Sequence, residues 1–301
     1  MTDATAVDLG LYHSIAAGGS ASLALPARAV WRVTGADRVR YLNGQVTHDV
    51  ARLAEGCSLY AGVLTGKGKL VGDLFVAAAP DALLLDAPLE LRESLRERLE
   101  KFLIADDAEF ADLTETGRLS HHFGAVPPPA APGRIVSANP RFGPPGFDVW
   151  QEGPAPFLAG PEAAPALADL FRIEYGIGAW GAEIDTNTLP QEVLFDRDGR
   201  GLSYEKGCYV GQETVARIRS IGQVNRLLVN VEQVAGPAAE ALPLGLHGGD
   251  GAEVARLTSR AFSPLQGREI GLALASRRFV ETGGSLAAGE RQYRITPPPR
   301  K

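Results

Sequence analysis

The chain has 301 residues, 45% of them hydrophobic and 22% charged, with 35 Gly and 21 Pro. That length accommodates two or three domains, and so many Gly and Pro residues favour turns and short strands over a helical bundle. A net charge of −6 excludes a broad nucleic-acid surface driven by the field of the whole molecule.

The two cysteines, Cys57 and Cys208, are too few and too far apart for a disulfide framework. No paired CxxC spacing points to zinc, so no metal site is expected. The first ten residues lack the basic and apolar regions of a signal peptide. No run reaches the ~20 apolar residues of a membrane helix. The expectation is a cytoplasmic chain with reduced thiols and no membrane partner.

In chain order, residues 29–33 alternate weakly and run into Thr34-Gly35-Ala36-Asp37, a strand followed by a turn. Asp37 is placed to cap a helix from Arg38, with Val39 and Leu42 facing a core. Residues 58–64 and 70–77 flank the Gly-rich segment 65–69 and predict a β-hairpin. Residues 83–86 predict a short strand. Leu89, Leu91, Leu95, Leu99 and Leu103, with charges between them, predict an amphipathic helix over 89–103. Mixed strand, hairpin and helix argue for α+β layers.

Two Pro/Gly-rich loops follow, at 126–133 and 139–146, then a connecting stretch at 154–165. Residues 166–175 predict a helix ending at Gly176, with Leu167, Leu170 and Ile173 on one face. A long loop covers 188–203 and a short helix 213–219. From Asn225 the pattern changes to short alternating strands, such as 227–231 and 270–275, as in a small β-barrel.

The strongest local chemical signal is Lys206-Gly207-Cys208-Tyr209-Val210-Gly211-Gln212-Glu213. It places a thiol between two glycines, just ahead of a helix N-terminus. Lys206 and the helix dipole both favour the thiolate, the reactive form. The bland alternative is a buried structural cysteine. No His-Asn pair accompanies it, and His121-His122, in a Pro-rich neighbourhood, read as solvated. Gly66-Lys67-Gly68-Lys69 lacks the spacing of a phosphate loop and reads as a turn whose lysines attract an acidic ligand tail. Trp31 and Trp180 read as core aromatics first and stacking surfaces second. Cys57 reads as a small hydrophobe.

The segment 206–213, continued by Thr214-Val215-Ala216-Arg217, resembles the KGCYxGQE signature of YgfZ-type folate-binding proteins, relatives of the glycine-cleavage T protein. Residues 41–50, YLNGQVTHDV, resemble that family's LxGQVTxDV segment. Residues 172–177, RIEYGI, resemble the RxEAG segment of the T protein, and 181–185 follow in the same order. Residues 257–264 and 267–274 resemble its C-terminal domain. The likeness spans about Trp31 to Leu274 and is weakest between Asp106 and Pro165.

This resemblance implies an α+β fold of three domains in a ring. Two interleaved α+β lobes make a folate-binding body over 1–224, the second lobe about 58–150, and a small β-barrel covers 225–301. It implies tetrahydrofolate or another reduced folate as cofactor. Glu174 is implied as the carboxylate that accepts the pterin N–H edge; without the resemblance it reads as a helix-end ion-pair partner. Tyr175, Asn43, Gln45, Gln212, Glu213 and Arg217 are implied around the ligand. Cys208, Lys206 and Asp73 are implied as the reactive groups.

The T protein carries an Asp-Asp pair where this chain has Gly72-Asp73, and it lacks a cysteine like Cys208. Both departures favour a folate-dependent role supporting iron–sulfur enzymes, including tRNA-modifying ones, over aminomethyl transfer. The implied partners are iron–sulfur enzymes or cluster-assembly proteins, met transiently. A single thiol cannot hold a cluster alone, so any cluster contact is shared. A one-carbon transferase using Asp73, and a non-catalytic module that has lost folate, remain open.

Overall fold

The computed structural model describes residues 7–237, 241–298 and 300. The chain opens with α1 (Leu9–Ala16), β1 (Ala21–Ala24), β2 (Arg28–Thr34) and α2 (Arg38–Asn43). Next come β3 (Ser58–Leu64), β4 (Leu70–Ala78), β5 (Leu83–Pro88), α3 (Arg92–Glu100), β6 (Glu109–Asp112) and β7 (Gly117–Phe123). Then follow β8 (Arg134–Ala138), β9 (Gly146–Glu152), α4 (Pro165–Glu174) and α5 (Gln212–Ser220). The C-terminal part holds β10 (Arg226–Ala235), β11 (Leu244–His247), β12 (Glu253–Ser263), β13 (Arg268–Ser276), α6 (Arg277–Thr282), β14 (Leu286–Ala288) and β15 (Arg291–Thr296).

These strands make three sheets, and the architecture is α+β. A five-stranded sheet has the order β3-β4-β5-β2-β6 and a four-stranded sheet the order β1-β7-β9-β8. The last six strands close into a barrel, β10-β13-β12-β11-β14-β15. The hairpin at 65–69 forms as its alternation predicts, with Tyr60 opposite Phe75 and Gly62 opposite Asp73. One face of the five-stranded sheet buries Trp31, Val33, Leu74, Val76 and Leu85 against Leu95 and Leu99 of α3. Each of these large apolar side chains contributes about 1.5–3 kcal/mol by leaving water.

Helix α4 forms where Leu167, Leu170 and Ile173 recur, and all three are buried. It ends because Gly176 takes a φ of +68°, with its carbonyl and that of Tyr175 accepting from Arg197. Tyr60, Leu64, Ile173, Phe195, Tyr209 and Leu272 form one hydrophobic cluster. Hairpin, α4, the loop before α5 and the barrel therefore meet around a common centre.

Several local expectations are corrected. Asp37 stands at the start of α2 but caps no N–H of it; its carboxylate accepts from the Asp107 backbone N–H and from Arg40 instead. The helix expected over 89–103 is shorter: residues 89–91 form a tight 3-10 turn and α3 stops at Glu100. The loop over 188–203 contains two 3-10 turns, Pro190–Val193 and Arg197–Gly199. His121 and His122 are not solvated: both lie on β7 and are buried.

Their burial is explained by a polar seam between the two open sheets. His121 Nδ1 lies 2.8 Å from Asp148 Oδ1, and the Asp148 carboxylate accepts from Arg141 and Asn139. Arg141 also donates to Asp86 on β5, so one guanidinium bridges the five-stranded and the four-stranded sheets. That cation and the His121 ring hold Asp148 well below the usual carboxylate range, while burial keeps His121 neutral by lowering its pKa. Among the described residues no helix is long and apolar enough to cross a membrane.

Candidate functional site

Two clefts open at the hub and share the walls Tyr60, Phe75, Ile177 and Arg200. The smaller, about 430 Å³, is lined further by Asp73, Arg28, Arg141, Phe142 and Trp180. The larger, about 720 Å³, is lined by His48, Asn139, Tyr175, Arg197, Pro298 and Arg300. β3, β4, α4, the loops after β8 and before α5, and the segment after β15 all line these clefts, so the ligand-sized space belongs to the assembled fold.

Of the acids lining the smaller cleft, Asp73, Glu90 and Asp169, Asp73 is the buried one. Its Oδ2 accepts from the Tyr60 hydroxyl at 2.5 Å, and its Oδ1 is buried without a hydrogen-bond partner among the described residues. Burial raises its pKa; the Tyr60 hydrogen bond and the Arg28 charge pull the other way. A buried acceptor left open is costly unless something fills it. The strand pleat decides which residue of the Gly72-Asp73 pair faces the cleft. A Cβ on Gly72 would stand 2.9 Å from Leu91 Cδ1 and 2.9 Å from Leu95 Cδ2, so position 72 faces the core under α3.

Glu174 is placed differently from its neighbours in sequence. It has no solvent exposure and lines neither cleft. Its Oε1 accepts from Tyr12 Oη at 2.8 Å and Ser263 Oγ at 2.6 Å, and its Oε2 from Arg300 Nε at 2.6 Å. Tyr175, the next residue, does line the larger cleft and packs its ring on Gly143. Nearby, Glu183 accepts from Arg172, Thr258 and Ser259, tying the segment after α4 to the barrel.

The two resembling segments, 41–50 and 206–213, come together as a second unit. Lys206 Nζ donates to the carbonyls of Asn43, Val46 and His48 at 2.6, 2.7 and 2.7 Å. Three ammonium donors meet three acceptors, so its charge is spent on the backbone rather than held free for a thiol. Burial pulls its pKa down to about 8. Val210 N–H donates to the Gly44 carbonyl at 3.3 Å and completes the seam. Thr47 bridges further, donating to the Gly201 carbonyl and accepting from the Gly62 N–H.

Asn43 and Gln45 therefore serve the seam: Asn43 Oδ1 accepts from Val50 N–H, and Gln45 Oε1 from Arg98. Gly211 turns the chain into α5 with a φ of +86°, and a Cβ there would lie 2.5 Å from the Thr65 carbonyl. Cys208 is exposed on the loop ahead of α5 and lines none of the clefts above. Gln212, Glu213 and Arg217 lie on α5, likewise outside both clefts. Cys57 is half-buried and lines a separate cleft of about 560 Å³, beside His48, Tyr204 and Arg219. Trp31 is core, whereas Trp180 is a cleft wall.

Sequence reasoning missed Tyr60, Arg200, Arg300 and Tyr12. The hairpin register makes Tyr60 a diagonal neighbour of Asp73, and that signal was available. Arg200 donates to the Arg141 carbonyl at 3.3 Å, has no carboxylate partner among the described residues, and is pulled down in pKa by burial. Nothing local marks it.

Three sheets around a hub cleft, with a closed C-terminal barrel, define a protein of the glycine-cleavage T-protein fold. The aminomethyltransferase T of the glycine cleavage system of Bartonella henselae superposes with a TM-score of 0.78 over 96% of this chain and 88% of that one, at 16% identity. In sequence, the tRNA-modifying protein YgfZ of Escherichia coli K12 is 30% identical over 229 residues, covering 66% of this chain and 68% of that protein. The chain belongs to the YgfZ family. YgfZ of Cronobacter sakazakii is 27% identical, with 66% and 67% covered. A mitochondrial iron–sulfur cluster assembly factor, the IBA57 homolog of Mycosarcoma maydis, is 27% identical over 68% of this chain but only 55% of its own length. No protein-family model matches the chain.

Proposed function

We propose that this chain binds a reduced folate in the hub cleft at Asp73 and supports iron–sulfur enzymes, including tRNA-modifying ones, through the exposed thiol of Cys208. The names of its relatives, a tRNA-modifying protein and an iron–sulfur cluster assembly factor, support the iron–sulfur and tRNA context of the second half, and the exposure of Cys208 supports its thiol as the point of contact. The first half is carried by one observation: a buried carboxylate oxygen on Asp73, unpartnered among the described residues, in a cleft of about 430 Å³. A flat, N–H-bearing heteroaromatic ligand fits it, with Phe75, Phe142 and Trp180 as walls.

A bound reduced folate supplies one-carbon carriage. Asp73 accepts an N–H of the ligand, Tyr60 orients Asp73, and Arg200 supplies a cation that no carboxylate among the described residues neutralises. Glu174 contributes only when Arg300 leaves it, because Arg300 now fills that side of the carboxylate. Cys208, reachable from solvent, meets a partner rather than the cleft, and the partner provides any further ligands to a cluster.

A second reading, folate-dependent aminomethyl transfer, is favoured by the orientation of Gly72. The acid absent at that position would have faced α3, so its absence leaves the cleft chemistry of Asp73 intact. Calorimetric titration with tetrahydrofolate tests the folate half. Wild type binds, and Asp73→Asn binds about tenfold or more weakly, as expected for a lost charged acceptor. Equal binding by both proteins, or none by wild type, contradicts it.

A further inference from the structure

Asp73 has two unequal oxygens. One accepts the Tyr60 hydroxyl at 2.5 Å, and the other is free among the described residues. The phenol that makes this difference is itself held. Tyr60 stands opposite Phe75 in the β3–β4 register, with ring centroids 4.9 Å apart, and Phe195 packs at 4.8 Å. A Cβ on Gly201 would lie 3.0 Å from Tyr60 Cδ1, so backbone packs against a further side of the ring. A ring clamped in this way cannot follow a rotating carboxylate; the carboxylate follows the ring.

We propose that Tyr60 is a positioning residue, whose hydroxyl fixes one oxygen of Asp73 so that the other is presented, ionised, to an N–H of the ligand. The identity of the ligand rests on the folate reading; the control of Asp73 does not. Burial works against the ionised acid, and the Tyr60 hydrogen bond is the largest effect opposing it. Of the other charges around Asp73, Arg28 from β2 favours ionisation and Asp86 from β5 disfavours it, and the guanidinium groups of Arg141 and Arg200 line the same cleft. Burial first, then the Asp73 charge, keep the phenol protonated by raising its pKa well above the ordinary value. Tyr60 is thus a donor throughout the range in which Asp73 titrates.

The substitution Tyr60→Phe keeps the ring and removes the hydroxyl. The full chain, labelled with ¹³Cγ-aspartate, is titrated by NMR without ligand, and Asp73→Asn identifies the Asp73 signal. The Asp73 midpoint moves upward in Tyr60→Phe by about one pH unit, as loss of a hydrogen bond to a charged group requires. Uniform 3-fluorotyrosine, a more acidic donor, moves it downward and serves where Tyr60→Phe does not fold. At a pH between the two midpoints, Tyr60→Phe binds tetrahydrofolate about threefold more weakly and recovers as pH rises past its own midpoint. An Asp73 midpoint unmoved by both substitutions overturns the proposal. Shifted midpoints in a protein that binds no tetrahydrofolate uphold Tyr60 and overturn the folate reading alone.

Discussion

The Arg300 guanidinium stands between the Glu174 carboxylate and the larger hub cleft, donating to Oε2 at 2.6 Å while lining the cleft itself. It donates as well to the Tyr12 hydroxyl at 2.9 Å, and its backbone N–H reaches the Glu174 carbonyl. A carboxylate with no exposure is thereby neutralised by a residue at the opposite end of the chain from Tyr12.

The substitution Arg300→Ala breaks this buried pair from one side. Stability is expected to fall by about 3 kcal/mol, the usual consequence of leaving a buried charge with a missing partner. Tetrahydrofolate affinity is expected to rise, because the open side of Glu174 then faces the cleft. Urea unfolding and calorimetry on one preparation check both. Lower stability without an affinity gain assigns Glu174 to the scaffold alone.

Lys206 gives a prediction with a pH window. In Lys206→Met three carbonyls lose their shared donor, and neutral-pH stability falls by about 2–3 kcal/mol. The folded-state pKa of about 8 lies below the ordinary 10.5, so over that window the unfolded chain holds more proton than the folded one. Stability from this group therefore rises with pH between about 8 and 10.5. Chemical denaturation at pH 7.5 and pH 10 should show the gap between wild type and Lys206→Met widening. A gap independent of pH contradicts the buried ammonium.

His121 works in the acid direction. Burial lowers its folded pKa below 6.5, so as pH falls through 6.5 the unfolded chain gains a proton that the folded chain refuses. Wild-type stability should decline from pH 7 towards pH 5, and the decline should be shallower in His121→Asn. The depressed Asp148 acts separately, at pH values below the ordinary carboxylate range. Thermal unfolding across pH 7 to 5 measures the difference between the two slopes.

What was legible in the sequence was local or carried by a contiguous motif. The hairpin at 58–77 announced itself by alternation around a Gly-rich turn, and α4 by the spacing of Leu167, Leu170 and Ile173. The barrel showed in the change of pattern after Asn225. The four-stranded sheet was illegible: β1 has four residues and pairs with β7, almost a hundred positions away. His121 misled because it sits beside a second histidine just ahead of the Pro-rich segment 127–129, whereas its partner Asp148, and Arg141 behind it, arrive through the tertiary fold.

The site was legible by halves. The resemblance singled out 41–50 and 206–213, and the structure joins them through Lys206, yet neither Cys208 nor α5 enters the hub clefts. Arg200 and Arg300 come from an irregular segment and the far end of the chain, where no periodicity points inward. Their meaning is set by what they neutralise, or leave unneutralised, across the hub.

A thiol outside the clefts makes two separable functions the central claim. Cys208 is exposed, so Cys208→Ala should change stability by less than about 0.5 kcal/mol, and should leave tetrahydrofolate binding as in wild type. The decisive measurement is the activity of an iron–sulfur tRNA-modifying enzyme in cells whose only copy of this protein is Cys208→Ala. The account predicts that activity falls to the level of cells lacking the protein, while the purified variant still binds tetrahydrofolate. Full enzyme activity without the thiol would contradict it.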